Sequence, residues 1–555
     1  MSYDDGKMPI ALVLQVALGL ACLYVAWCIL RHCCCLPTQA ALLEQDFLGN
    51  FADGLERQNL DDPNAVRWAC PICAFENQLR TMHCVLCDAT KDTVPTAALS
   101  LRQQSAMRRK QWARTLSPAG VLQWSSSESM HGQYVITYDA LAATVAWTPL
   151  ASLSPDVAPA FGETLALWQW RHLLALQDAS FTTKVAALCT VLSHTSRPAT
   201  KLNVYRDLAF ESIDMLLQIP HASLCSTTSI TMLGESGVDA GGLQREWYSL
   251  VLAAILAPSR GLFCINHKDD GAYMIDPTTS LDAANLSAFR AVGRLLARAL
   301  LEGQVLPQPL CVPLLKALVG APLSVADIAF LDPVTASSLH YVATASSVDD
   351  LCLDFTVSTG TDKDLVALVQ NGHDMPVTLA NRSAYVDCMV QYLLFDRIAQ
   401  PLASLLRGFN EVMPPDVLLS FDYQELGLLL FGTAADIDVS EWERCTKMAL
   451  AHAATETAQW FWALVREMTP TQRRHLLQFT TGSSRVPIQG FPGLTSFDGR
   501  LCPFTVEAIR YTRGVYPRAH ACFNRIDLPL YPTKDLMREG LCALAQLEYA
   551  EFTIV

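Results

Sequence analysis

The chain has 555 residues, of which 51% are apolar and 17% charged, and its net charge is −14. This length exceeds one ordinary core and predicts about two to four domains. The composition excludes a disordered chain, and the negative balance argues against general nucleic-acid binding, so no nucleic-acid partner is expected. The 19 cysteines are spread along the chain rather than packed into a short secreted framework, so the part beyond the apolar N-terminus reads as reduced and cytosolic.

From Pro9 to Leu30 no residue is charged and only Gln15 is strongly polar. A helix of that length spans the ~30 Å of hydrocarbon in a bilayer. A cleaved signal peptide fits poorly, because Asp4 and Asp5 precede the run and no clean small-residue cleavage site follows it. Residues 9–30 are therefore expected to form a single transmembrane helix. Acidic residues before it and Arg31 after it place the bulk of the chain, including any catalytic domain, on the cytoplasmic side. Cys33-Cys34-Cys35 would then lie at the membrane face, either palmitoylated or as plain thiols.

The next feature is Cys70-Pro71-Ile72-Cys73, then Asn77, then Cys84-Val85-Leu86-Cys87. Two C-x2-C knuckles supply four thiolates, a set suited to tetrahedral Zn2+ in a unit too small for its own core. Cys70, Cys73, Cys84 and Cys87 are the expected ligands, and the ion is structural. With Trp68 and Asn77 the pattern, over residues 66–90, resembles the zinc fingers of the Ran-binding-protein type, which include the ubiquitin-binding NZF subgroup. That resemblance implies ubiquitin contacts at Phe75 and Leu86, with Ala74 where the subgroup has threonine. A purely structural finger, or one for another protein, stays open.

Residues 91–176 read as a linker or a small β-rich region. Gln133 to Tyr138 alternate apolar and polar, and with Trp147 and Pro149 they suggest a short β-meander. It resembles a WW domain at best, with Trp124 displaced and the closing Trp-x-x-Pro shortened. A packing extension of the following domain is the other reading.

Near the C-terminus the chain reads His520-Ala521-Cys522-Phe523-Asn524-Arg525-Ile526-Asp527-Leu528-Pro529-Leu530-Tyr531. This resembles the catalytic loop of HECT ubiquitin ligases. Further landmarks follow the same family: Gly234 to Trp247, Phe289 to Arg294, Leu353 to Val357, Asn381 to Val386, Arg407-Gly408-Phe409, Ile437-Asp438-Val439 with Trp442, and Thr481 to Pro487. The resemblance spans residues 177–555. It implies an α+β, bilobal HECT domain: a large, mostly helical N-lobe over about 177–448, a hinge at about 446–453 and a small α/β C-lobe over about 454–555. The transmembrane helix and the small zinc finger precede it. A hinge at 446–453 would contain no glycine, whereas relatives often carry one there.

The implied activity is that of an E3 ubiquitin transferase. Cys522 accepts ubiquitin as a glycyl thioester from a ubiquitin-conjugating enzyme and passes it to substrate lysines. No cofactor takes part in catalysis. A thiolate suits this task because it attacks readily and leaves readily. An extended backbone would put His520 on the face of Cys522, to favour the thiolate or move a proton; a structural histidine is the alternative. Asp527 would orient or deprotonate the incoming lysine, or cap a turn before Leu528-Pro529. Phe552, fourth from the end, matches the family's tail anchor. Ala521 replaces the family's threonine, which removes a hydroxyl beside the thioester and lowers efficiency. The competing reading is a catalytically impaired HECT-like membrane scaffold that binds ubiquitin through its finger. A papain-like hydrolase is disfavoured, because its distant His and Asn/Asp motifs are missing.

Overall fold

Residues 67–546 are described in this computed structural model, apart from 80, 96–97, 127–131, 194–199, 235–241, 268–270, 359–364, 434–435, 450–454, 488–489 and 495–500. The apolar run 9–30 and Cys33–Cys35 lie outside the described residues. Among the described residues, no helix is long and apolar enough to cross a membrane.

The finger opens with a short antiparallel pair, Arg67–Ala69 against Glu76–Gln78. Ser100 then caps helix α1 (Leu101–Met107), with Gln103 completing a reciprocal capping box. Two separate hairpins follow, Trp112–Leu116 with Leu122–Ser126 and Tyr134–Asp139 with Thr144–Pro149. Among the described residues they share no sheet and form no three-stranded WW arrangement. An isolated hairpin is marginal in water, and both are instead built into the large lobe. Trp147 stacks on Tyr134 at 5.0 Å and meets Phe395 at 5.7 Å. Arg114 is sandwiched between Trp124 and Trp170, at 4.0 and 4.3 Å. Burial pulls its guanidinium down to about 9, and its protons go to the carbonyls of Pro155 and Val157. Ile136, Tyr138, Phe161 and Trp170 lie in the same core as Phe289 and Leu406. The expected boundary at 177 is therefore too late. The packing extension is the reading the structure supports, and the N-lobe core begins near residue 134.

That core is organised on two crossing helices, α2 (Ala283–Leu301) and α3 (Ala399–Asn410). Two sequence landmarks make the crossing. A Cβ on Gly293 would lie 2.0 Å from the Leu405 carbonyl oxygen, and one on Gly408 would lie 1.9 Å from that of Arg290. Only glycine allows the backbones this close. Beside the crossing, Glu411 accepts hydrogen bonds from Arg290 at 2.6 Å and from Arg294 at 2.6 Å. Burial alone would raise this carboxyl, but Arg290 and Arg294 hold it below its ordinary value. Its contribution to stability is thus complete above the unfolded carboxylate range and is lost as the pH falls through the folded value. Glu411→Gln should cost about 2 kcal/mol at neutral pH, and the gap to wild type should narrow toward pH 3 in thermal melts taken along a pH series.

The N-lobe ends with helix α4 (Tyr423–Phe431). Asp422 caps it, accepting from the Gln424 and Glu425 amides at 2.9 Å each. Gly432 closes it with a φ of +65°. From Ile437 onward the apolar residues belong to a second core. Trp442 stacks on Phe491 at 5.1 Å and meets Phe504 edge-on at 5.2 Å, beside buried Phe461 and Trp462. Four strands form the sheet of this C-lobe: β1 (Lys447–Ala449), β2 (Thr505–Ile509), β3 (Arg518–His520) and β4 (Arg525–Pro529), in the order β1-β2-β4-β3. The pairs β1–β2 and β2–β4 are parallel, and β4–β3 is antiparallel. The expected hinge at 446–453 therefore moves upstream. Lys447–Ala449 is already paired in the C-lobe sheet, and Trp442 is the centre of the C-lobe core. The chain changes lobes between Gly432 and Ile437, and a positive-φ glycine does stand at that crossing. Helix α5 (Pro470–Thr481), with Thr469 as cap, Pro470 in its first turn and Gly482 left-handed at its end, packs against the sheet.

Candidate active site and metal centre

Strand β4 alternates as a half-buried strand should. Ile526 and Leu528 are fully buried, while Arg525 and Asp527, on the other face, are only half-buried. Register pairs His520 with Arg525 and Arg518 with Asp527 across the hairpin. His520 Nε2 lies 2.9 Å from Asp527 Oδ2 in a hydrogen-bonded pair. Arg525 Nε sits 3.0 Å from the other Asp527 oxygen, and Arg525 Nη1 lies 3.4 Å from Glu507. Asp527 is therefore a mid-strand partner of His520, and the turn-cap alternative falls away.

The strand β3 stops at His520. Ala521–Phe523 form one tight turn, and Asn524 reverses the chain with φ +48° and ψ +40°. The extended-backbone argument for His520 and Cys522 sharing a face does not hold, because the strand ends at His520 and the cysteine lies within the following turn. The structure describes the backbone of Cys522 in this turn but not its side chain. Phe552 lies outside the described residues, as do the 235–241 loop and residues 450–454.

Asn524 is the residue that sequence reasoning passed over. It is fully buried. Its side-chain Nδ2 donates to the Cys502 carbonyl at 2.8 Å, and its backbone carbonyl accepts from the Thr505 backbone N–H at 2.9 Å. Asparagine tolerates the left-handed region better than other residues with a Cβ, so its place directly after Cys-Phe and before a strand was the available signal. Arg245, from the N-lobe helix Gly242–Ile255, donates to the Thr481 carbonyl at 3.1 Å and lies 3.4 Å from Asn524 Oδ1. The cysteine turn thus closes on itself through Asn524 and meets the N-lobe through Arg245. Cys502 Sγ sits 3.2 Å from the Phe523 carbonyl, a second thiol beside the same turn. Asn524→Ala should lower C-lobe stability by about 2 kcal/mol, from left-handed strain and a lost buried bond. Asn524→Gly should recover only the backbone share; denaturant melts of the two variants against wild type check this.

The four finger cysteines come together as expected. Their sulfurs all lie within 4.8 Å of one another and are buried. Cys70 and Cys87 are 3.5 Å apart, and Cys73 and Cys84 are 3.6 Å apart. The edge of a tetrahedron with metal–sulfur bonds of about 2.3 Å is about 3.8 Å, so this group could hold a metal ion. Each knuckle is built alike. Ala74 and Asp88, one residue past each second cysteine, both take positive φ. Cys70 and Cys84 each accept from that residue's amide. Asn77 ties the knuckles together, donating to the Phe75 carbonyl at 2.9 Å and accepting from the Val85 amide at 3.0 Å. At this spacing the sulfurs compete for protons. Hydrogen bonds from Cys73 and the other two drive the Cys70 thiol down, while Cys70 and its neighbours drive Cys73 up. As thiolates, four cysteines this close could share one cation.

The expected ubiquitin contacts require correction. Phe75 and Leu86 are both buried. Phe75 packs on Phe181 at 5.5 Å, with the Arg109 guanidinium 5.6 Å from its ring. Leu86 lies in a cluster with Leu428 of α4. An apolar finger face looks the same in sequence whether it awaits a partner or already has one.

A model of the HECT-domain (ubiquitin-transferase) family matches residues 249–555. Over 370 residues the chain is 35% identical to the E3 ubiquitin-protein ligase Smurf1 of Drosophila melanogaster, an alignment that covers 64% of this chain and 34% of that protein. It is 34% identical over 343 residues to the E3 ubiquitin-protein ligase pub3 of Schizosaccharomyces pombe, covering 61% of this chain and 43% of that one. It is 32% identical over 342 residues to the E3 ubiquitin-protein ligase TOM1 of Saccharomyces cerevisiae, covering 61% of this chain and 10% of that one. The chain thus spans less than half the length of each of these curated relatives.

Proposed function

This chain belongs to the HECT-domain (ubiquitin-transferase) family, and on that premise we propose that it is an E3 ubiquitin ligase acting through a thioester on Cys522. The observation that carries this reading is that the family match runs to residue 555 and so takes in the whole cysteine turn and strand β4. The Cys522 thiolate adds to the carbonyl carbon of the thioester joining ubiquitin to a conjugating enzyme. That enzyme's cysteine leaves as thiolate, and ubiquitin is then held on Cys522. A substrate lysine attacks as the free amine. The bond to Cys522 sulfur breaks, an isopeptide bond forms, and the amine gives up a proton. His520 is the group nearest in sequence able to move protons there. Its bond to Asp527 commits Nε2 and leaves Nδ1 for exchange, which makes Asp527 a positioning residue for His520.

The four-thiolate set and its spacing favour zinc as the finger's metal, held by Cys70, Cys73, Cys84 and Cys87. Zinc there is structural and supplies no step of the transfer. The uncharged run Pro9–Leu30 supports a single-pass membrane anchor with the catalytic lobes in the cytoplasm, where conjugating enzymes and protein substrates are met. The test is loading from a ubiquitin-charged conjugating enzyme. Wild type should acquire one ubiquitin through a bond that a thiol reductant cleaves; a chain that acquires none sinks the reading.

A further inference from the structure

The zinc-finger face that a partner would need is spent inside the chain, and the contacts it makes point to one element. Arg102 of α1 donates to the Leu86 carbonyl through Nε at 2.9 Å and Nη2 at 2.8 Å. Arg109 donates to the Cys73 carbonyl at 3.0 Å. On the opposite side, Thr433 Oγ1 donates to the Val85 carbonyl at 3.2 Å. Thr433 follows Gly432 and begins the crossing from N-lobe to C-lobe. Its own carbonyl accepts from Arg485 of the C-lobe at 3.1 Å, and the same guanidinium donates to the Pro307 carbonyl of the N-lobe at 3.0 Å. A continuous chain of bonds therefore runs from the second knuckle through the crossing to both lobes.

Val85 and Leu86 lie between Cys84 and Cys87, so the directions of their carbonyls are set by how that knuckle closes. A unit of this size cannot hold such a turn by apolar burial alone and depends on its metal. We propose that the metal-loaded finger is a strut that fixes the lobe crossing, with Thr433 and Arg485 as positioning residues, and that its docking partner is this chain's own N-lobe and crossing rather than free ubiquitin. Loss of the metal releases the Val85 and Leu86 carbonyls, frees the crossing, and lets the cysteine turn drift from the N-lobe surface that presents Arg245.

The test uses the full-length metal-loaded chain and reads hydrogen–deuterium exchange in a peptide covering residues 428–440. Thr433→Val keeps the side-chain shape and removes the hydroxyl. It should retain the metal and speed exchange at the crossing about fivefold, as expected for one lost hydrogen bond, with α2 unchanged. Stripping the metal with a chelator, or Cys84→Ser, should speed it about a hundredfold or more. Unchanged exchange at the crossing in Thr433→Val overturns the proposal, even if Cys84→Ser loosens the whole chain. So does a fall in ubiquitin affinity in Phe75→Ala, since that side chain would then be meeting ubiquitin. The activity arm rests on the ubiquitin-transfer reading. There, Thr433→Val should slow single-turnover discharge of the Cys522 thioester several-fold, and discharge at the wild-type rate counts against the strut. A wild-type chain that never forms the thioester strikes the transfer reading, while the exchange measurement still decides the strut.

Discussion

Cys522→Ala is expected to abolish the ubiquitin adduct, and Cys522→Ser is expected to change its chemistry. Without the sulfur no thioester can form, and transfer to lysine should fall by on the order of 10³-fold or more. Serine offers an oxygen that is a far weaker nucleophile at neutral pH and a poorer leaving group. The serine chain should load slowly, hold ubiquitin through an ester that survives thiol reductant, and release it in hydroxide rather than to an amine. Gel mobility of the adduct with and without reductant reads all three chains at once. Cys502 makes the alanine variant informative. This second thiol lies against the same turn, 3.2 Å from the Phe523 carbonyl. A residual reducible adduct in Cys522→Ala that disappears in the double variant with Cys502→Ala would show ubiquitin moving to the neighbouring sulfur.

The largest stability effect should come from Glu425→Ala. Glu425 accepts from Lys184 at 2.8 Å and from Arg109 at 3.0 Å, and Arg109 also bonds Asp422 at 2.5 Å. All of these side chains are buried or nearly so. They join three segments distant in sequence: the stretch after α1, the helix Phe181–Ser193 and the first turn of α4. Removing Glu425 leaves Lys184 without its carboxylate and Arg109 with one carboxylate where it had two. It also removes half of the capping box that starts α4. Breaking a buried pair by deleting one member costs about 3–5 kcal/mol, a large share of the ~5–15 kcal/mol that holds a typical domain together. Denaturant unfolding of the variant should show it. Arg109 also donates to the Cys73 carbonyl, so the variant should release its finger metal at a lower chelator concentration than wild type.

The parts of this molecule written in local chemistry were readable in advance. Paired C-x2-C knuckles gather four sulfurs because the spacing leaves them little choice. Thr469-Pro470 and Gly482 mark the ends of α5 by rules that act within one turn. The landmarks around Gly293 and Gly408 could be recognised, although their reason, a helix crossing too close for any Cβ, appears only when both helices are present. Features that depend on which surface meets which could not be read this way. Trp442 announces a core in sequence but does not say which of two cores. Sequence alone therefore places the lobe boundary too far downstream, at a stretch without glycine, whereas the crossing contains Gly432. Phe75 and Leu86 pointed to a partner, and the partner proved to be α4 and the helix at Phe181. The role of Asn524 depends on a backbone angle, which a residue name suggests only weakly.

The strand Lys447–Ala449 has one further consequence. It covers the outer edge of β2, pairing Lys447 with Thr505, Met448 with Val506 and Ala449 with Glu507. A C-lobe cut to begin after it would present unpaired amides and carbonyls along Thr505–Glu507, with buried Val506 newly open beside them. Such a bare edge is a template for another chain. The three residues that resemble a flexible connector therefore cover an edge that would otherwise invite self-association, and a C-lobe fragment that keeps both this cover and its whole core must begin before Ile437.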